Sequence, residues 1–539
     1  MRRSILTICW GALGVIAPVH AASIAAPEPA SGWQAKPAVQ AQRFMAVTAH
    51  PLATQAAVDV LSNGGTAVDA TVAAQMVLNL VEPQSSGIGG GAFMLYWDAA
   101  ERQLHTLDGR ETAPAAADAN YFLDANGAPL KWREAMVGGR AVGVPGTLHL
   151  LHTAHNLFGK KPWVELFKPG ITLATEGFSV SPRLAQSIAS AADRGLLKFA
   201  PARGYFFTAG GDPLPVGFTL KNQLFADTLR QISQEGIAPF YQGPIAQRLL
   251  KALEDTSALP ALMTTEDLAG YRTILRPPVC APYRSYSVCG MGPPSSGALT
   301  VGQILGLVER FDLPRLGPSP QSIHLILEAS RLAFADRARY MADIDFVPVP
   351  VVGLLDSDYL SERSRMIHAD SSIGKASAGI PPGVLSANAT VYQSEPAGTS
   401  HLSIIDTLGN IVSMTTTIES GFGSRLMTDG FLLNNELTDF SFIKEREGLL
   451  VANRIEGGKR PRSSMAPTIV FDSHGEPVLV TGSPGGSRII CYVAQSLVGV
   501  LDWGMSPQQA VSMPHFCNRN GKTDLEPAKA NTLLDFALQ

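Results

Sequence analysis

The sequence predicts an α+β protein, and three observations carry that expectation. A β-hairpin is written into residues 399–417, two apolar helices lie near the start at Pro51 to Leu61 and Ala67 to Leu80, and residues 145–335 are mainly helical in pattern with Gly/Pro interruptions. Leu402 to Ile405 alternates as a strand, Asp406-Thr407-Leu408-Gly409-Asn410 has turn chemistry, and the chain returns through Ile411 to Thr417. The midpoint of 399 and 417 is 408, inside that turn, so antiparallel pairing sets Thr399 beside Thr417. Taken alone, the pair is ordinary packing of β-branched residues in a sheet. Further strands are expected at Phe93 to Trp97 and Val478 to Val480, and the second strand leads through a glycine-rich turn into a helix from about Ile489 to Leu501. The clearest amphipathic helices of the middle are Leu224 to Ile232, Ile245 to Leu253 and Ile323 to Arg339.

With 539 residues, 45% hydrophobic and 16% charged, the chain is expected to fold into a large globular body. Basic and acidic residues number 42 and 46, and no Lys/Arg-rich tract occurs, which argues against nucleic acid and favours a small zwitterionic or anionic metabolite. Residues 1–21 read as an export signal: Met1-Arg2-Arg3, an apolar run from Ile5 to Val19, and the small-x-small site Val19-His20-Ala21 before Ala22. That run is too short and too broken by glycine and proline to span a bilayer, so a periplasmic or secreted protein without a membrane span is expected. An Ala/Pro-rich tether follows over 22–42. Of five cysteines, Cys280 and Cys289 flank a segment that could turn back as a hairpin; whether they pair is left open. No CxxC or HExxH is present, and neither a metal nor a cofactor is expected.

Gly87-x-Gly89-x-x-Ala92 imitates a dinucleotide fingerprint, but the order here is helix, glycines, strand, the reverse of what that fold requires. The glycines instead suggest close backbone packing beside a pocket. Asp370 to Pro396, rich in Ser, Ala, Gly and Pro, reads as an exposed, mobile connector ending at Gly398-Thr399. Such a segment suits a chain that is cut before Thr399. Thr481-Gly482-Ser483-Pro484-Gly485-Gly486-Ser487-Arg488 lies between strand and helix, where free backbone N–H groups suit an oxyanion; an ordinary tight turn is the alternative. A Gly-x-Ser-x-Gly nucleophile elbow is absent, whereas an N-terminal threonine carries its own base, an α-amine with a pKa near about 8. Arg110, in Asp108-Gly109-Arg110-Glu111, reads by itself as a surface ion pair with Glu111 or Asp108.

The chain resembles the gamma-glutamyltransferase (gamma-glutamyltranspeptidase) precursors, a family of N-terminal-nucleophile hydrolases. The resemblance runs from about Phe44 to Asn518 and rests on ordered motifs: Ser86 to Gly91, Arg110-Glu111, Thr399-Ser400-His401, Thr417, Asn434-Asn435-Glu436, Asp439-Phe440-Ser441, Lys459-Arg460-Pro461, Ser463-Ser464-Met465 and Gly482 to Arg488. It implies a four-layer αββα sandwich and a precursor cut between Gly398 and Thr399 into a large subunit, 43–398, and a small catalytic subunit, 399–539. It further implies that Thr399 attacks a γ-glutamyl donor such as glutathione, that Thr417 positions it, and that Gly485 and Gly486 hold the oxyanion. Arg110, Ser463 and Ser464 would bind the donor carboxylate, Glu436 and Asp439 its ammonium, and water or an amino acid or peptide would accept the acyl group. Three departures from the family pattern stand out: Glu419 where asparagine is usual, a shorter stretch between Asp439 and Arg460, and an end at Leu533 to Gln539 that reads as mid-helix. They leave two alternatives: an acylase for glutaryl or cephalosporin-type side chains, and an uncleaved, non-catalytic homologue.

Overall fold

The computed structural model describes residues 36–254, 260–385, 388–392 and 398–526. The expected export signal, most of the tether, the residues just before Gly398 and the expected final helix lie outside these. Ten strands build two stacked sheets: β1 (Met45–Val47), β2 (Gly91–Asp98), β3 (Gln103–Gly109), β4 (Ile274–Arg276), β5 (Val279–Tyr283), β6 (Tyr286–Gly290), β7 (Thr399–Ile405), β8 (Ile411–Thr417), β9 (Thr468–Phe471) and β10 (Pro477–Thr481). The larger sheet has the order β1-β7-β8-β2-β3-β4, the smaller β10-β9-β6-β5. Strand alternation divides β2 between two cores. Ala92, Met94 and Tyr96 join a cluster with helices α1 (Pro51–Ser62), α2 (Ala67–Val81) and α3 (Thr147–Phe158), while Phe93, Leu95 and Trp97 face the second sheet. Beyond that sheet lie α4 (Gly297–Val308), α5 (Pro320–Tyr340) and α6 (Ile489–Leu501). The fold is therefore the expected helix-sheet-sheet-helix sandwich. Ser413 on β8 ties the sheets together, donating to the Thr481 carbonyl and accepting from the Thr468 N–H, both at 3.1 Å.

The hairpin forms in the expected register: Thr417 pairs with Thr399 on one side and with Gly91 on the other. Asp406 fixes its turn, accepting from the N–H groups of Leu408 and Asn410 at 2.9 and 3.0 Å; its other oxygen accepts from Ala67 N–H at the start of α2, 3.0 Å away. The turn thus plugs into a helix end that needs an acceptor.

The middle region is mainly helical, as expected, and also contains β4, β5 and β6, because its β-branched and aromatic residues between 274 and 290 find a sheet edge to join. Two expectations need correction. The segment from Ile323 to Arg339 is buried nearly all round rather than amphipathic, since it runs through a core between α4 and the 516–518 strand. The 370–396 segment, in its described part, is not wholly exposed. Ala376 bonds to Asn520 on both its N–H and its carbonyl, and Ala389 N–H donates to Leu450 at 2.9 Å. Cys280 and Cys289 do pair across β5 and β6, as does a second couple, Cys491 and Cys517, which joins α6 to the 516–518 strand and was not expected.

Candidate active site

Thr399 opens β7 and is buried, with its hydroxyl directed to that of Thr417 at 3.4 Å. The Thr417 hydroxyl is fully used. It donates its proton to the Gly398 carbonyl at 2.7 Å and accepts from Glu419 N–H at 2.8 Å as well as from Thr399. One hydroxyl therefore polarises the peptide before Thr399 and orients the Thr399 side chain. Glycine is required at 398, where a Cβ would strike the Glu419 carbonyl, and at 90, where one would strike the carbonyl of Thr417. The glycine loop before β2 thus acts as the close-packing element foreseen in the sequence. Glu419 itself sits at φ 73°, and Phe422 and Arg425 share this left-handed conformation, an accumulation of backbone strain close to Thr417.

Arg110, Thr399, Thr417, Glu419, Glu436, Asp439, Ser463, Ser464, Met465, Gly486 and Ile489 line one pocket. Arg110 follows β3 and is buried, which rules out the surface pair suggested by its local sequence. Its guanidinium bonds Glu436 and, at 2.6 Å, Asp439, and also donates to the Pro461 and Arg462 carbonyls at 3.1 and 3.0 Å. Burial alone would lower the Arg110 pKa, but Glu436, Asp439 and Glu111 outweigh it and hold it above its ordinary value. Burial pushes the Glu111 carboxyl up to about 7 against the pull of Arg110, and it lifts Glu436 well above the carboxylate range. Glu419 is raised likewise, first by burial and then by Asp439 and Glu436. Only one of its oxygens is bonded, to Asn435; Glu419 Oε1 and Glu436 Oε2 are buried without a partner among the described residues. The pocket therefore carries a surplus of acceptors around a single guanidinium, a setting that suits an ammonium group as well as a carboxylate.

The two serines are fixed from opposite sides. Ser463 Oγ accepts from Met465 N–H at 3.1 Å, and Ser464 Oγ accepts from Arg337 at 2.6 Å. Gly486 lines the pocket, and Gly485, at φ 136°, immediately precedes it; among the described residues neither N–H has a backbone acceptor. These donors can serve an oxyanion formed at Thr399. The loop is set against the hairpin by Gly482, where a Cβ would collide with the His401 ring. Burial lowers that imidazole to about 3, so it is neutral, and it contacts the Thr415 and Ser403 hydroxyls at 2.9 and 3.0 Å.

Every candidate side chain from the sequence thus meets at one place, Gly485 next to the lining rather than in it. Sequence reasoning missed the supports. Asn434 bridges Gly89, Gly143 and Glu436, and Asn435 holds Glu419 and Ser420; both stood in a recognised motif without an assigned role. Arg337 lies 127 residues from Ser464, and nothing local signalled the contact.

The gamma-glutamyltranspeptidase family model matches residues 53–536. The glutathione hydrolase proenzyme of Bacillus subtilis (strain 168) is 39% identical over 479 residues, covering 87% of this chain and 80% of that protein. Among solved structures, the cephalosporin acylase of Bacillus halodurans superposes with a TM-score of 0.77 at 28% identity, covering 90% of this chain and 86% of that one. The Helicobacter pylori gamma-glutamyltranspeptidase gives a TM-score of 0.60 at 36% identity, covering 62% of this chain and 95% of that one. With its sandwich fold, its paired threonines and this match over most of its length, the chain belongs to the gamma-glutamyltranspeptidase family and is an enzyme of that class.

Proposed function

We propose that the chain is a precursor that cuts itself between Gly398 and Thr399 and then acts as a γ-glutamyl hydrolase and transferase. The observation that carries this reading is the Thr417 hydroxyl, which donates to the Gly398 carbonyl while accepting from Thr399. In the first step Thr399 Oγ attacks the Gly398 carbonyl carbon, the C–N bond breaks, and the acyl group moves to oxygen, freeing the Thr399 amine. Water then opens the ester, leaving a large piece ending at Gly398 and a small one beginning at Thr399.

In turnover the new α-amine takes the Thr399 hydroxyl proton as the oxygen attacks the γ-amide of a donor such as glutathione. Arg110 with Ser463 and Ser464 binds the donor α-carboxylate; Glu436, Asp439 and Glu419 receive its ammonium. The Gly485 and Gly486 N–H groups stabilise the oxyanion, where one lost donor costs about 3 kcal/mol. The amine of the leaving group departs with a proton, and water or an amino acid or peptide takes the γ-glutamyl group from Thr399. No helix among the described residues is long and apolar enough to cross a membrane, and two disulfides suit an oxidising compartment, in keeping with export to the periplasm or beyond.

The likeness to a cephalosporin acylase favours one second reading, hydrolysis of glutaryl-type amides. Glutaryl groups carry no ammonium, and the surplus of buried carboxylates favours γ-glutamyl donors over them. The test has two parts. Mass analysis of the smaller fragment is expected to show threonine at its first position, and γ-glutamyl-anilide is expected to turn over faster than glutaryl-anilide. A single uncut polypeptide in a folded sample, or the reverse preference, would overturn the respective part.

A further inference from the structure

The turn that follows β8 lies on the bond to be cut. A Cβ at residue 398 would strike the Glu419 carbonyl and come within 2.6 and 2.8 Å of Ser420 C and Gly421 N, so the 419–421 backbone rests directly on Gly398. The Gly398 carbonyl meanwhile accepts from Thr417 at 2.7 Å. A hydroxyl and a turn thus hold the residue between them. The turn is costly to form, because Glu419, Phe422 and Arg425 have φ of 73°, 69° and 73°, a region that residues with side chains avoid. It needs something to keep it there.

Arg425 is placed to do so. It is buried, and its guanidinium donates to carbonyls alone: to Gly421 at 2.5 Å, to Gly423, and to Arg194 at 3.3 Å in the helical turn Ala192–Arg194. Among the described residues it bonds no carboxylate. Burial lowers its pKa to about 10 and Glu419 opposes that shift, so the group stays charged at neutral pH. A buried cation with no acid bonded to it is a poor stabiliser, and an apolar side chain of similar length would serve packing as well. What a guanidinium adds is a rigid fork of donors that can gather the carbonyls of a strained turn. Gly421 depends on it. Apart from its chain neighbours nothing stands within 4 Å of where its Cβ would be, and it makes no other hydrogen bond among the described residues. We propose that Arg425 is a positioning residue for the self-cut: through the Gly421 carbonyl it keeps the 419–421 backbone against Gly398, and so keeps the scissile carbonyl at Thr417 and within reach of Thr399. The proposal rests on the reading of Thr399 as the group that cuts the chain.

The test follows fragment appearance on denaturing gels after a pulse of synthesis of the full chain. Arg425→Met keeps the length and removes the donors, and the cut is expected to slow about ten-fold, the scale of one charged hydrogen-bonding group. Arg425→Lys restores a cation with donors and is expected to return to within about three-fold of the wild type. Lysine and methionine side chains are of similar length, so lost packing alone would slow both alike. Hydroxylamine, which opens an ester directly, is expected not to speed Arg425→Met, because the fault lies in the alignment that precedes the ester. Acceleration by hydroxylamine, equal slowing of the two variants, or Arg425→Met cutting at wild-type speed overturns the proposal. If Arg425→Met does not fold, Arg425→Gln, with an amide donor and no charge, takes its place; a cut about three-fold slower is expected, and wild-type speed is again contrary. A wild type that stays uncut, or Thr399→Ala cut as fast as the wild type, overturns the reading of Thr399 and the proposal together, whereas a wild type that cuts through Thr399 with Arg425→Met unaffected overturns the proposal alone.

Discussion

The reaction pocket and the cavity beside it share two stretches of wall yet differ in their linings. On one side Glu419, Glu436 and Asp439 surround Arg110; on the other, Arg337, Arg462, Arg488, Arg519 and Lys522 stand with Asp524 among the described lining residues. The contrast arises from residues adjacent in sequence that face alternate ways, such as Arg462 against Ser463 and Gly486 against Ser487. It teaches that one short segment can furnish two separate linings, because successive residues face opposite ways. On the proposed function, the acidic side would receive the ammonium that marks a γ-glutamyl head.

The sharpest way to break the contrast is to silence the group between the two sides. Thr399→Ala is expected to leave one uncut band on a denaturing gel and to lower turnover by about 10³-fold or more. Fragments appearing at the normal rate in that variant would contradict a Thr399-driven cut. Thr417→Val keeps the shape and removes the hydroxyl, and self-cleavage, followed by fragment appearance, is expected to slow about 10²-fold, as for a lost oxyanion donor. The acidic side also has a stability signature. Glu111 has a folded pKa of about 7 against an ordinary 4.5, so the folded chain holds a proton that the unfolded chain releases between these values. Stability should therefore fall as pH rises from 4.5 to 7, and Glu111→Gln should abolish about 2 kcal/mol of that fall in denaturant titrations. Asp439→Asn is expected to raise KM about ten-fold for γ-glutamyl-anilide with little effect on glutaryl-anilide, sharpening the assignment of the ammonium side. The smallest effect is reserved for Glu419. Burial raises the pKa of its carboxyl, an arriving ammonium favours the ionised form, and so KM should fall as pH rises. Glu419→Gln is expected to flatten that trend, with a few-fold difference at the alkaline end.

How much of this was legible in the sequence depended on distance along the chain. Thr399 and Thr417 could be paired by arithmetic because a hairpin is local and its turn announces its centre. Arg110 could not be joined to Glu436, 326 residues away, by any local rule; its neighbours Asp108 and Glu111 suggested a surface pair, and only the ordered motifs corrected this. Arg337 on Ser464 and the Cys491–Cys517 pair had no local or motif signal and remained hidden until the fold brought them together. Strands β4 to β6 were masked for a related reason, since the short segments between 274 and 290 take on strand form by joining edges supplied from elsewhere in the chain.

The hydroxyl of Thr417 has one consequence for how such a protein is inherited. Because it touches both the Gly398 carbonyl and the Thr399 hydroxyl, a lesion there is expected, on the proposed function, to slow the cut and the later acyl transfer together. Defective copies would open slowly. On that reading maturation would work as an inspection that each molecule performs on itself, and the population of open molecules would be enriched in those already able to do the chemistry.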